Sequence, residues 1–179
     1  MPPLTQTLAP AALEDVLELD ELWSFVARRK NKRKNKRWVW LALCRRTRQV
    51  VAYAIGDRSQ KTCRLLWERI PLALRHALTF TDFWEASQKV VPEGQHVACD
   101  KGSGQTCDKG SGQTCDKGSG QTSHVERFNN TLRQRLARFV RKTLSFSKSE
   151  VMHEDCLRLF LHHYNTRMAP GAALIQQHV

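Results

Sequence analysis

The amino-acid sequence predicts an α/β domain: a mixed sheet with helices packed on it. Three observations lead there. Strand-like apolar runs at Val16 to Val26, Trp38 to Cys44 and Val50 to Ile55 follow one another through short connections, as in an antiparallel meander. Beyond them helical and strand-like runs alternate, the order of elements in a sheet flanked by helices. The clearest helical stripe, Thr122 to Arg141, comes late and closes the pattern.

In chain order, residues 1–12 contain Pro and Ala without a period and read as a flexible leader before a domain at 13–167. With 179 residues there is room for one sizeable core. In VLELDELWSFV, Leu17, Leu19, Trp23 and Phe25 alternate with Glu18, Asp20, Leu22 and Ser24, so one face is assigned to the core and Asp20 to the other. Arg28 to Arg37, RRKNKRKNKR, holds eight positive charges and no apolar residue; it reads as a solvated loop turning a hairpin. Gly56 and Asp57 end the third strand. Ser59 then caps a helix carrying Cys63, Leu66, Trp67 and Ile70 up to Pro71. Ala77 to Thr81 reads as a short buried strand ending at Asp82, Phe83 to Val90 as a short helix or turn, and His96 to Ala98 as a strand fragment.

Residues 99–122 are the octad CDKGSGQT three times without a change, which reads as a Gly-rich flexible loop produced by recent expansion. They lack the alternating oxygen ligands and closing Glu of a calcium loop, and the Gly-Lys-Ser/Thr ending of a phosphate loop.

In the late helix Val125, Phe128, Leu132, Leu136, Phe139 and Val140 make an apolar stripe. Glu126 projects beside it, one turn from Asn130 and two from Arg133. A structural role for Glu126 is also open, as the partner of Ser123 in a capping box. Ser147 or Ser149 caps a last helix with Val151, Leu157, Phe160, Leu161 and Tyr164 along one side, and residues 168–179 form a tail.

Lys and Arg number 29 against 17 Asp and Glu, a formal charge of +12 that points to a polyanionic partner, most often nucleic acid. The basic run would make binding salt-dependent, by roughly 0.9 in the slope of log K against log salt for each phosphate contact. No CxxC pair occurs, and Cys44, Cys63 and Cys156 read as small core residues. The N-terminal segment lacks a signal-peptide pattern and no apolar run is long enough to span a bilayer, so a cytoplasmic protein without membrane association is expected. Asp20 in mid-strand, Asp82 at a strand's C-terminal end and Glu126 on the helix are three carboxylates that this layout can bring together.

The blocks LDELWSFV, NKRWVWLALCRRTRQVVAYAIGDRS, FTDFWEA and GQTSHVERFNNTLRQRLARFVRKTLSFSKS together resemble the catalytic half of the transposases of the bacterial insertion-element-one family, over residues 14–167. The resemblance implies a DDE enzyme with an RNase H-like fold that cleaves and joins DNA strands, with Asp20, Asp82 and Glu126 as the catalytic carboxylates. It implies two Mg²⁺ ions held by these three residues about 4 Å apart, with Mn²⁺ as a substitute; one activates water or a DNA 3′-hydroxyl and the other stabilises the leaving oxygen. Arg127, Asn130 and Arg133 would position the DNA end, and Arg28, Arg29, Lys30, Lys32, Arg33, Lys34, Lys36 and Arg37 would neutralise phosphates. Element ends and target DNA are the expected partners, with a homodimer or a separate DNA-binding subunit as further candidates. Family members usually carry an N-terminal zinc-binding and helix-turn-helix region, and this chain starts just before the first catalytic strand. The family also has one GxGQT-like segment before the Glu, so two extra octads add sixteen residues between Asp82 and Glu126. Closing the longer loop costs on the order of 1 kcal/mol, less of a threat to folding than to the placement of Glu126. The competing expectations are a catalytically inactive basic DNA-binding remnant and an RNase H-like nuclease that cleaves without joining.

Overall fold

A computed structural model describes residues 2–27, 35–82, 89–99, 122–140 and 144–169. Five strands form one mixed sheet: β1 (Val16–Phe25), β2 (Lys36–Cys44), β3 (Val50–Gly56), β4 (Leu78–Asp82) and β5 (His96–Cys99), in the spatial order β3-β2-β1-β4-β5. The first three are an antiparallel meander in which Phe25 faces Lys36 and Leu43 faces Val50, whereas β4 and β5 run parallel to β1. Among the described residues, helices α1 (Gln60–Arg69), α2 (Ser123–Arg135) and α3 (Glu150–Met168) flank the sheet. This is the mixed α/β architecture expected, compatible with an RNase H-like fold. Phe83 to Gln88 and the octads from Asp100 to Gln121 lie outside the described residues, as do Arg28 to Lys34, which join β1 to β2.

The alternation in β1 divides two cores rather than a core and a solvated face. Leu17 and Leu19 pack with Trp40, Ala42, Cys63 and Leu66 under α1. On the reverse face Leu22, Val39, Leu41 and Leu43 meet Val125, Phe128 and Leu132 of α2 and Leu157 and Leu161 of α3. Asp20 lies on this second face, opposite Leu17 and Leu19 as expected, and is 9% exposed because that face is covered too. β1 is a central strand with helices on both sides, and the alternation marks which helix each residue meets.

Several ends are as predicted. Ser59 Oγ accepts from the Thr62 amide at the start of α1, and Ser149 Oγ from the Met152 amide at the start of α3. The late helix is shorter than its apolar stripe. It ends at Arg135, where Leu136 turns extended (φ −112°, ψ 98°), and a 3₁₀ turn, Ala137–Phe139, carries Phe139 into the core. There Phe139 stacks on the His153 ring at 4.3 Å, a contact that a straight continuation of α2 would not reach. Val151, expected on the buried side of α3, is 71% exposed. The buried stripe is His153, Leu157, Leu161 and Asn165, each one turn from the last.

His153 is wholly buried between Ser24 Oγ and Ser147 Oγ, at 2.9 Å from each. Burial pushes its pKa down to about 4, which keeps the ring neutral at neutral pH. Asn165 closes the far end of α3. Its amide nitrogen donates to the Val50 carbonyl (2.8 Å) and to Thr7 Oγ1 (3.1 Å), while its oxygen accepts from the Val50 amide (2.9 Å). Gln49 extends this junction to the Thr7 carbonyl and the Ala9 amide. The opening residues expected to be loose are therefore bound to β3 and α3, with a 3₁₀ turn at Leu4–Thr7.

Candidate active site

β1 carries Glu18 and Asp20 on the face covered by α2. Strand geometry puts them on one side two residues apart, and the amphipathic stripe of α2 brings its first turns over them. Asp20 Oδ2 accepts a hydrogen bond from Asn129 Nδ2 at 2.7 Å, and Oδ1 accepts from the Glu21 amide at 2.8 Å. The Asn129 carbonyl oxygen, buried beside this carboxylate, has no hydrogen-bond partner among the described residues. Glu126, in the first turn of α2, is half-buried, with Thr122 Oγ1 at 3.4 Å from its carboxylate.

The capping box does not form, because Ser123 is already helical and Thr122, the flanking residue, makes no side-chain cap bond. Glu18 takes that role from across the sheet. Its Oε2 accepts the His124 and Val125 amides, each at 3.0 Å, while Oε1 lies 2.8 Å from Arg45 Nε and 2.6 Å from His124 Nδ1. A wholly buried carboxylate is thus compensated by four donors, two of them at the positive end of a helix dipole.

Asp82 is the last residue of β4, its backbone paired with Cys99. The parallel pairing of β1 with β4 runs to Leu19 against Thr81, and Asp20 and Asp82 are the residues that follow these partners on adjacent strands. β1 and β4 are thus neighbours in the middle of the sheet, and the first turns of α2 cover the β1 segment that holds Glu18 and Asp20. Among the described residues no group of three His, Cys, Asp or Glu side chains is poised to hold a metal ion.

The expected DNA contacts divide. Arg127 and Asn130 are exposed on α2, whereas Arg133 donates to the Phe139 carbonyl at 3.1 Å and helps fix the turn that ends the helix. Lys36 lies over the rings of Trp23 (4.8 Å) and Trp38 (4.2 Å), and Arg37 Nε donates to Glu150 at 2.9 Å. Arg28, Arg29, Lys30, Lys32, Arg33 and Lys34 lie outside the described residues. Sequence reasoning singled out Asn130 and passed over Asn129, the residue that touches Asp20. A signal was present: Val125, Phe128, Asn129 and Leu132 stand at i, i+3, i+4 and i+7, so Asn129 occupies a core position of the stripe, where an amide needs a polar partner.

The family described as IS1 transposase matches residues 15–166. The chain belongs to the IS1 transposase family. Among relatives in the family, insertion element iso-IS1n protein InsB of Shigella dysenteriae is 32% identical over 146 residues, covering 82% of this chain and 93% of the relative. The IS1 protein InsB of Shigella flexneri is 30% identical over 149 residues, with 82% and 95% covered. An IS1 InsB protein of Escherichia coli K12 is 30% identical over 150 residues, which span 82% of this chain and 75% of the relative. Glu18, Asp20, Asp82, Glu126 and Asn129 all fall within the matched segment. No helix among the described residues is long and apolar enough to cross a membrane.

Proposed function

We propose that this protein is a DNA transposase of the DDE type, which cleaves DNA at the ends of an insertion element and joins those ends to target DNA. The observation that carries the proposal is the docking of α2 on β1 through Asn129 and Asp20, which sets the helix bearing Glu126 beside the strand bearing Asp20. The pairing of β1 with β4, the strand that ends at Asp82, supports the inclusion of Asp82, and family membership supports the reaction class.

Asp20, Asp82 and Glu126 would hold divalent metal, Mg²⁺ or in its place Mn²⁺. The donor set fits: carboxylate oxygens suit a hard cation, and the Asn129 oxygen beside Asp20, without a partner among the described residues, offers an acceptor for a water bound there. When bound, such ions activate the attacking oxygen and stabilise the leaving one. The protein's own contribution is positional. Asn129 and the Glu21 amide fix both oxygens of Asp20, so the carboxylate is oriented before any ligand arrives. Arg127 and Asn130 on the exposed side of α2 contact the DNA end without reading its sequence, and the basic run at residues 28–37 adds phosphate contacts.

The test is joining of a pre-cut element end to a supercoiled plasmid in Mg²⁺ or Mn²⁺, with Asp20→Asn as the control. Joining by the unmodified chain and none by the variant is the expected result. DNA binding without metal-dependent joining, unchanged by Asp20→Asn, would instead identify a catalytically inactive binding protein. Cleavage without joining would identify a nuclease.

A further inference from the structure

We infer that Glu18 is a positioning residue that sets the start of α2 against β1, and that it makes the placement of Glu126 independent of how many octads precede the helix. The inference rests on the proposed role of Glu126 but draws on a different part of the structure. Glu18 differs from Asp20 in its bonding. Donors already occupy both of its oxygens: two backbone amides on Oε2, and Arg45 and the His124 ring on Oε1. A carboxylate accepting four hydrogen bonds has no lone pair left for a cation, so Glu18 is a structural clamp and not another ligand.

Its grip falls at His124 and Val125, the two residues before Glu126. The second attachment of the helix to the strand, Asn129 to Asp20, falls three residues after it. Glu126 is therefore bracketed along α2 by two fastenings to β1, two residues apart on that strand. Because α2 rises in rigid steps, fixing it on both sides of Glu126 fixes the carboxylate as well. In chain order the three identical octads precede the first fastening, the last of them ending at Thr122. Lengthening that connection alters the entropy of closing it by a slowly growing amount, whereas the clamp decides where the helix begins. The Glu18 side chain also supplies the N-terminal acceptor that Thr122 does not.

The experiment crosses loop length with the clamp. Chains with three, two and one octads are prepared with Glu18, Glu18→Gln and Glu18→Ala, then compared by amide hydrogen exchange at His124 and Val125 and by Mn²⁺-dependent strand joining. With Glu18 in place, exchange and joining should agree within about twofold across the three lengths. Glu18→Ala should speed exchange of the two amides by roughly tenfold or more and make joining depend on octad number. Glu18→Gln, which keeps an oxygen for the amides, should recover part of both; if the Ala variant fails to fold, this variant carries the comparison. Strong dependence on octad number with Glu18 present would overturn the inference. So would unchanged exchange at His124 and Val125 in both variants. If no chain joins DNA, the proposed activity fails, while the exchange measurement still decides whether Glu18 is the clamp.

Discussion

Replacing Asn129 with Leu separates a catalytic role from a structural one. The amide does two opposing things. Its nitrogen donates to Asp20 Oδ2 at 2.7 Å, and its oxygen is buried without a partner among the described residues. A hydrogen bond to a charged group contributes about 1.5–3 kcal/mol, and a buried unsatisfied acceptor costs about 1–3 kcal/mol. Leu has nearly the shape of Asn, and it removes both the bond and the orphaned oxygen while adding apolar surface one turn from Leu132. Folding stability should therefore change by no more than about 1 kcal/mol, a Tm shift within about 4 °C. Asp20, however, loses the donor that orients it. If the whole of that bond is used in the transition state, joining falls by about 10- to 100-fold. The assays are thermal unfolding without DNA and single-turnover joining of a pre-cut end. Joining at the unmodified rate with unchanged Tm would refute the idea that Asn129 orients a catalytic carboxylate. A loss of more than about 3 kcal/mol of stability would show that the amide chiefly holds the fold.

Further predictions concern the rest of the molecule. His153 is neutral in the fold, with its pKa lowered from an ordinary 6.5 to about 4, so its contribution to stability is complete above pH 6.5 and is lost as pH falls toward 4. The loss is on the order of 3 kcal/mol, and urea unfolding at pH 8, 6, 5 and 4 should show it; a His153→Phe variant with the same acid profile would refute the assignment. Asn165→Ala leaves the Val50 amide and carbonyl unpaired and should cost about 3 kcal/mol by urea unfolding, with a loss below about 1 kcal/mol counting against that junction. Changing Arg28, Arg29 and Lys30 together to Ala should reduce the slope of log K against log salt for DNA binding by about 2.7, measured by fluorescence anisotropy; an unchanged slope would remove these residues from the interface. Chelation with EDTA should abolish joining and added Mg²⁺ or Mn²⁺ should restore it, while joining that persists in EDTA would exclude the metal-dependent mechanism.

The meander, the caps at Ser59 and Ser149 and the strand ending at Asp82 were legible in the sequence because each has a local cause: a period of two, a hydroxyl before a helical stripe, an apolar run closed by a polar residue. What escaped was the second covering layer. Glu18 and Asp20 look like the wet side of an edge strand, since a sequence does not state that β1 lies mid-sheet with helices on both sides. The capping box failed for a related reason. Ser123 and Glu126 have the right local spacing, but the helix already includes Ser123, and a carboxylate from β1, distant in sequence, accepts the His124 and Val125 amides of its first turn. Asn129, His153 and Asn165 share one lesson. Each is a polar residue on a helix's buried stripe, and each marks a place where tertiary hydrogen bonding overrides hydrophobic patterning.

The bond between Asn165 and Val50 also bears on how the protein stays apart from its copies. β3 is an outer strand of the sheet, and its outward backbone groups could template pairing with another chain. The Asn165 side chain takes up both the amide and the carbonyl of Val50, imitating a neighbouring strand with a single residue. Because that residue lies in α3, this part of the shield forms only after the strands of the sheet have been synthesised. Until then the nascent sheet exposes a sticky border, and truncation before residue 165 should yield protein that precipitates even though all five strands are present.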